Sequence, residues 1–488
     1  MNVVDYLFQT SARLDRPAVI AGAEQINYPA LYEQVHSLAG WLRNSLGRDQ
    51  KIILISDNTP FFVTVYLAIM KSGNVCVPLN PAITDSSLGN IIAQCEATTA
   101  FVQEKSAERF AGQIATIYGE GDLPGLKAAP LPVEADFDDD QLAELIFTSG
   151  STALPKGVML SHRNLRANTE SIIEYLQLAQ EDRMLVVLPF YYCYGLSLLH
   201  THFRVGGSLV LNNTFLMLNT VIRDLQEHRC SGFAGVPSHF QIMLRKSRKF
   251  RESQFPDLRY VTQAGGKLPT VFIREFREHF PDIAFYVMYG QTEATARLSY
   301  LPPAALPEKI GSIGRGIPGV DLAVLNPDGN PVQPGEVGEL AAAGDNIMLG
   351  YFHDPQLTAQ TIRNGRLYTG DIGTVDEQGY IYVLAREKEF LKVGGERVSP
   401  KEIEETIVAL PEVVDCSIVG VEDEVMGEAI KAYIVLNSGA ELSERDIINY
   451  CMKHLSSAKV PKTVEFLDKI PVAATGKKVK ANLAELNK

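Results

Sequence analysis

The run Phe147 to Gly157, FTSGSTALPKG, concentrates small residues, hydroxyls and one lysine in eleven positions. Backbone N–H groups and side-chain donors at Thr148, Ser149, Gly150, Ser151 and Thr152 can close around phosphate oxygens, and Lys156 adds a movable positive charge. The run follows a strand-like AELIF and precedes a helix-like segment beginning near Asn164, which is the setting of a phosphate loop rather than of a flexible Ser/Gly linker. Its spacing is not the Walker A pattern, so a P-loop kinase or motor is not implied. Further on, FYVMYG runs into Tyr289-Gly290-Gln291-Thr292-Glu293, which puts an aromatic ring, a glycine and a carboxylate at a strand's C-terminal end, where open α/β sheets bind ligands. Glu293 suits Mg²⁺ against phosphates, although the segment alone reads equally well as a solvated turn. Asp371, in Tyr368-Thr369-Gly370-Asp371, is followed fifteen residues later by Arg386, and Thr475-Gly476-Lys477 closes the set. An aspartate accepts both hydroxyls of a ribose and an arginine holds a ribose or phosphate, yet each of these short motifs taken singly is also an ordinary exposed turn.

The elements that must carry these residues are legible as rhythm. Lys51 to Ser56 reads as a strand, Asp57 and Asn58 as possible helix caps, Phe61 to Lys71 as an apolar helix, and VCVPLN as a second strand: a βαβ unit. The same alternation runs from Arg183 to about Gly290 (LVVLP, a helix from about Leu196, SLVLN, GFAGVP, YVTQAGG, FYVMYG) and argues for parallel sheets covered by helices. After Pro302 short runs separated by Gly, Pro, Asn and Asp predict a small β-barrel or twisted antiparallel sheet. Beyond Arg386 about a hundred residues of α+β pattern predict a small lobe of their own.

Composition bounds the function classes. The chain has 488 residues, 46% hydrophobic and 21% charged, which excludes disorder and leaves room for a large core and a second domain. A formal charge of −13 argues against a broad nucleic-acid surface. Six widely spaced cysteines form no zinc pattern and suit a reducing compartment; together with a first segment unlike a signal or transit peptide, this gives a cytoplasmic expectation. No stretch approaches ~20 apolar residues, so no membrane span is expected.

Taken together the motifs resemble the adenylate-forming superfamily of acyl-CoA synthetases, nonribosomal peptide synthetase adenylation domains and firefly luciferases. The resemblance covers essentially the whole chain in colinear order: KSGNVCVPLNP at 71–81, FTSGSTALPKG, YGQTEA, GELAAAGDNIMLGY at 338–351, YTGD, REKEFLKVGGERVSPKEIEE at 386–405 and PVAATGKK at 471–478. It implies an α/β fold: a large N-terminal AMP-binding domain, 1–387, of two doubly wound parallel-sheet subdomains plus a small β-barrel, and a mobile α+β C-terminal lobe, 388–488. It implies that the loop 148–156 closes over the β- and γ-phosphates of ATP, that Gly265, Gly266 and Lys267 form the adenine turn with Tyr289 near the base, and that Gly290 and Gln291 belong to the nucleotide site. By the same resemblance Thr292 contacts the α-phosphate, Glu293 the Mg²⁺, Asp371 the ribose with Arg386 nearby, and Lys477 is the catalytic lysine bridging the attacking carboxylate and the α-phosphate. Lys388 matches the hinge, and Gly395 and Arg397 the loop of the thiol tunnel. Where the family's phosphate loop usually has glycine, this chain has Ala153, which resists φ > 0.

The implied reaction is acid activation to acyl-AMP followed by thioester formation, the work of a ligase of fatty acid metabolism. The acyl pocket is expected around 189–197, 233–240 and 264–266, lined by Tyr191, Tyr192, Tyr194, Phe233 and Val236, although such aromatics also serve as simple core. PFYYCYGLS lacks the aspartate that holds an α-amino group, which disfavours amino acids and leaves a fatty or other apolar carboxylic acid as the small-molecule substrate. The chain runs eleven residues past Lys477, so no fused carrier is expected; the thiol is coenzyme A or the phosphopantetheine of a separate acyl carrier protein. Lys459, Lys462, Arg397 and Lys401 are the candidate cations for the nucleotide end of coenzyme A. A luciferase-like oxygenase and a non-catalytic binding module are the readings from other classes; retention of Lys156, Glu293, Asp371 and Lys477 opposes the second.

Overall fold

A computed structural model describes residues 1–148, 155–386, 389–423, 427–471, 478 and 483. Ser149, Gly150, Ser151, Thr152, Lys388 and Lys477 lie outside the described residues.

Two large sheets lie side by side. The first has nine strands, with six central parallel strands (Ala284–Tyr289, Tyr260–Gln263, Gly232–Gly235, Arg183–Val186, Ser208–Leu211, Pro17–Ala21) and antiparallel edges at Ser299–Leu301, Arg315–Gly316 and Glu24–Asn27. The second has seven strands; Thr116–Tyr118, Thr99–Val102, Lys51–Ile55, Val75–Leu79 and Leu142–Thr148 are parallel, and Lys156–Ser161 and Gly350–Tyr351 add antiparallel strands at one edge. The expected small barrel is built as a five-stranded antiparallel sheet from Asp321–Leu325, Val337–Ala343, Ile362–Arg363, Arg366–Val375 and Ile381–Arg386. The terminal lobe packs Pro400–Ile407 and Glu444–His454 on a sheet that includes the long hairpin Val413–Asp423 and Gly427–Leu436. Among the described residues no helix is long and apolar enough to cross a membrane.

The helix Pro60–Lys71 shows how the two large sheets are joined. It is apolar all round, and all its residues but the first are buried, as expected of a helix enclosed on every side. Its cap is Thr59, whose hydroxyl accepts from the Phe62 N–H at 3.1 Å, rather than Asp57 or Asn58. Asn58 instead bridges to the other sheet: its amide donates to the Leu188 carbonyl and accepts from the Phe190 N–H, both at 2.8 Å. This fixes the start of the loop that carries Tyr191 and Tyr192. Within the helix, the Tyr66 hydroxyl donates to Glu144 Oε2 at 2.7 Å and meets His200 Nε2 at 2.8 Å, linking the strand Leu142–Thr148 to the helix Cys193–Val205.

Burial pushes the Glu144 carboxyl up from 4.5 to about 7, against the hydrogen bond from Tyr66. The stability contributed by the protonated carboxyl is fully present below pH 4.5 and is lost as pH rises through about 7. Burial lowers His200 to about 3, an effect of opposite sign that cancels when variant and wild type are compared at each pH. Glu144→Gln is therefore expected to gain on wild type by about 3 kcal/mol between pH 4.5 and 7 and to hold that margin above it. Paired thermal melts across that range check it; a pH-independent difference rejects the assignment.

The phosphate loop departs from expectation in one respect. It joins two antiparallel strands, with Thr148 paired to Lys156, and the helix His162–Leu176 starts only after the second strand.

Candidate active site

The strand ends Gln263 and Tyr289 open on a cavity of about 300 Å³ lined by Gly265, Gly266, Lys267, Tyr289, Gly290, Asp371 and Arg386. Seven of the residues expected to hold the nucleotide thus share one space. Two of the glycines are required by their surroundings. Gly265 has φ +85°, and a Cβ there would meet Val236 Cγ1 at 3.0 Å; at Gly290 a Cβ would fall 2.0 Å from the Ala296 carbonyl oxygen.

Asp371 is the centre of the cavity's polar wall. It is buried, and it is the direct cross-strand partner of Arg386, so antiparallel pairing accounts for the fifteen-residue interval between them. Arg386 Nε donates to Oδ1 at 3.2 Å, and the Tyr289 hydroxyl donates to Oδ2 at 2.7 Å. Burial and the Asp371 charge keep the Tyr289 phenol well above its ordinary value, so it remains a donor. Each carboxylate oxygen keeps a further lone pair for a ligand hydroxyl.

Beyond this wall, Thr292 is buried with its hydroxyl 3.6 Å from Cys193 Sγ, and Gln291 caps the short turn Thr292–Ala294. Glu293 accepts from the Tyr351 hydroxyl at 2.8 Å, and Lys156 Nζ lies 5.8 Å from the centre of the same ring. Tyr351 therefore connects the carboxylate to the phosphate-loop lysine, a role that its place in LGY did not signal. Among the described residues no group of three or more His, Cys, Asp or Glu stands ready as a metal cage. A single hard carboxylate beside the phosphate loop fits Mg²⁺, which takes one or two protein carboxylates and completes its shell with phosphate oxygens and water.

The terminal lobe closes the cavity. Lys401, Glu404, Glu405 and Lys478 all line it. Lys267 is paired with Glu405 at 2.8 Å; burial raises the Glu405 carboxyl, and Lys267 more than reverses this. Lys478 is paired with Asp415 at 2.7 Å and stays above the ordinary lysine value: burial opposes its charge, and Asp415 and Glu404 outweigh that. Asp415 also accepts from Gln241 of the large domain at 3.1 Å. The hairpin with Gly395 and Arg397 is exposed and does not line the cavity; Arg397 lies 3.9 Å from the Phe390 ring centre. Of the other candidate cations for coenzyme A, Lys459 is paired with Glu402 and Lys462 with Asp423.

The expected acyl wall is only partly assembled. Tyr192 and Val236 stand beside Gly265, and Tyr194 is buried with its hydroxyl donating to the Thr262 carbonyl at 3.0 Å. Phe233 is a correction. Alternation along Gly232–Gly235 sends it to the opposite face from Ala234 and Val236, where it packs edge-on against Phe240 in a separate core. Tyr191 is half-buried, and burial, with the Asp57 charge adding to it, pushes its phenol up.

A model of the AMP-binding enzyme family matches residues 8–352, and that of the AMP-binding enzyme C-terminal domain matches 402–477. The chain is 32% identical over 474 residues to a feruloyl-CoA synthase of Amycolatopsis sp, covering 96% of this chain and 95% of that protein. Among solved structures, the anthranilate CoA ligase with anthranoyl-AMP aligns over 100% of this chain and 97% of its own at TM-score 0.92 and 24% identity, a likeness of fold. The O-succinylbenzoate coenzyme A synthetase of Bacillus subtilis, in complex with ATP and magnesium ion, aligns over 99% of both chains at TM-score 0.88 and 25% identity.

Proposed function

The chain belongs to the AMP-binding enzyme family and is an acid–thiol ligase of the AMP-forming acyl-CoA synthetase type, and from that premise we propose that it joins an acid with an apolar body to coenzyme A through an acyl-adenylate. The observation that carries the nucleotide assignment is the Asp371 carboxylate, buried between Tyr289 and Arg386 at the strand ends and facing a cavity that Lys478, the neighbour of Lys477, also lines.

In this reading Gly265, Gly266, Lys267, Tyr289, Gly290 and Gln291 hold the base, Asp371 and Arg386 the ribose, Thr292 the α-phosphate, and Thr148, Ser149, Gly150, Ser151, Thr152 and Lys156 the β- and γ-phosphates. Glu293 holds Mg²⁺, which supplies charge neutralisation at the phosphates. The acid's carboxylate, ionised at pH 7 without help, attacks the α-phosphorus and displaces pyrophosphate; Lys477 offsets the repulsion between the two anions. The thiol then attacks the acyl carbonyl and AMP leaves. Residues 1–387 and 388–488 act as separate lobes hinged at Lys388. Rotation of the smaller lobe brings the exposed hairpin with Gly395 and Arg397 to the site for the second step, and the Lys267–Glu405 pair must open for it to do so.

Tyr192, Tyr194 and Val236, with no carboxylate among the residues of that wall, support an acid with an apolar body and no α-amino group. Two relatives named for aromatic acids, the feruloyl and O-succinylbenzoate enzymes, support a ring in that body. The test is ATP-dependent pyrophosphate release against aryl, fatty and α-amino acids, with and without coenzyme A. Release with an apolar acid and acyl-CoA on adding the thiol are expected. Adenylate formation without acyl-CoA moves the acceptor to a carrier protein, and no release with any acid rejects the assignment.

A further inference from the structure

Arg297 is one of the largest fully buried side chains in the protein, 2% exposed, and among the described residues it makes no ion pair. Its guanidinium lies 4.0 Å over the Tyr194 ring. Nη1 donates to the Ala296 carbonyl at 3.2 Å, Nη2 reaches Ser197 Oγ only at 3.5 Å, and Nε points at Met288 Sδ at 3.3 Å. The buried Tyr175 hydroxyl donates to the same sulfur at 3.0 Å. Two strong donors, one of them charged, therefore share a thioether, which is a weak acceptor. Buried arginines are ordinarily matched by a carboxylate or phosphate, because an uncompensated charge away from water is costly.

The position of this nest says what completes it. Met288 lines the cavity with Gln263, Gly265 and Tyr289, and it is also the side chain against which Arg297 and Tyr175 rest. One unbranched, readily re-packed side chain thus separates an unpaired guanidinium from the cavity. Tyr194, beneath the guanidinium, follows within two residues of Tyr192, whose hydroxyl stands beside Gly265.

We propose that Arg297 is the specificity-determining receptor for a second carboxylate at the far end of the acid, reached when Met288 turns aside, so that the substrate is a dicarboxylic acid with an apolar body. This rests on reading the cavity as the site of acid activation. The incoming carboxylate accepts from the guanidinium in fork geometry and from the Tyr175 hydroxyl, replacing the thioether with a charged acceptor. The apolar residues around Tyr192 and Val236 contact the body between the two acid groups.

Matched pairs, cinnamate against 4-carboxycinnamate and hexanoate against hexanedioate, test it by pyrophosphate release and by calorimetric binding, with wild type, Arg297→Leu and Arg297→Lys. Wild type is expected to favour the diacid of at least one pair by about tenfold or more in kcat/KM, carried mainly by KM. Arg297→Leu is expected to lose that preference and Arg297→Lys to retain part of it. Pyrophosphate release without a diacid preference in wild type, or with the same preference in Arg297→Leu, overturns the proposal and leaves the ligase reading standing. If no acid of either pair releases pyrophosphate, binding decides: tighter binding of a diacid by wild type than by Arg297→Leu supports the anion receptor, and equal binding overturns it, while the ligase reading is judged separately on the broad acid panel. Should Arg297→Leu not fold, the wild-type ratio and Arg297→Lys decide in the same way.

Discussion

Replacing Asp371 by alanine is expected to lower kcat/KM for ATP by about 10²- to 10⁴-fold, the loss of two charge-assisted hydrogen bonds to a ribose at about 1.5–3 kcal/mol each. The side chain's surroundings make the effect specific. Its two oxygens already take the Tyr289 hydroxyl and Arg386 Nε, so the carboxylate is held in one orientation before the nucleotide arrives. Alanine leaves a buried phenol and a guanidinium without their acceptor, which adds a stability cost of about 1–3 kcal/mol. Asp371→Asn keeps one acceptor oxygen and is expected to lose less. Steady-state kinetics with ATP varied, alongside thermal melts, separate the two effects: the fall in kcat/KM must exceed anything that lost folded protein accounts for. An Asp371→Ala enzyme with wild-type dependence on ATP contradicts the ribose assignment.

Lys477→Ala is expected to depress acid-dependent pyrophosphate release by about 10²- to 10³-fold, the usual effect of deleting one charge-stabilising donor at a transition state. The neighbouring Lys478 lines the cavity and is anchored by Asp415, which is itself tied to Gln241 of the large domain. On the proposed assignment of Lys477 to the first step and of the hairpin with Gly395 to the second, the same variant is expected to convert a supplied acyl-adenylate to acyl-CoA at a rate close to wild type. Equal loss in both steps would show that the substitution damages the lobe rather than the adenylation chemistry.

The sequence was most informative where chemistry and local geometry coincide. Asp371 and Arg386 could be named from motif and interval, and the structure explains the interval as a cross-strand pair. The strand Lys156–Ser161 is not legible in the sequence, because KGVMLS carries the loop's lysine and glycine at its start and runs directly into a helix cap, and its pairing with Leu142–Thr148 is visible only in three dimensions. A period of two along GFAGV assigns Phe233 to the face opposite Val236, so the sequence itself carries the signal that separates it from the acyl wall. The Tyr289–Asp371 and Tyr351–Glu293 hydrogen bonds join residues 82 and 58 positions apart, and no local pattern announces them. Arg297 is the clearest case of this kind: in TARLSY it reads as an ordinary surface cation, and only its burial without an ion-pair partner among the described residues marks it out.

The central claim is that the acid is activated as its adenylate, and isotope transfer tests this most directly. The enzyme is incubated with ATP, coenzyme A and an acid labelled with ¹⁸O in its carboxylate, and the nucleotide product is analysed by mass spectrometry. Attack of the carboxylate on the α-phosphorus followed by thiol displacement leaves one labelled oxygen in AMP. Label in inorganic phosphate with ADP as the nucleotide product, or AMP formed without label, contradicts it.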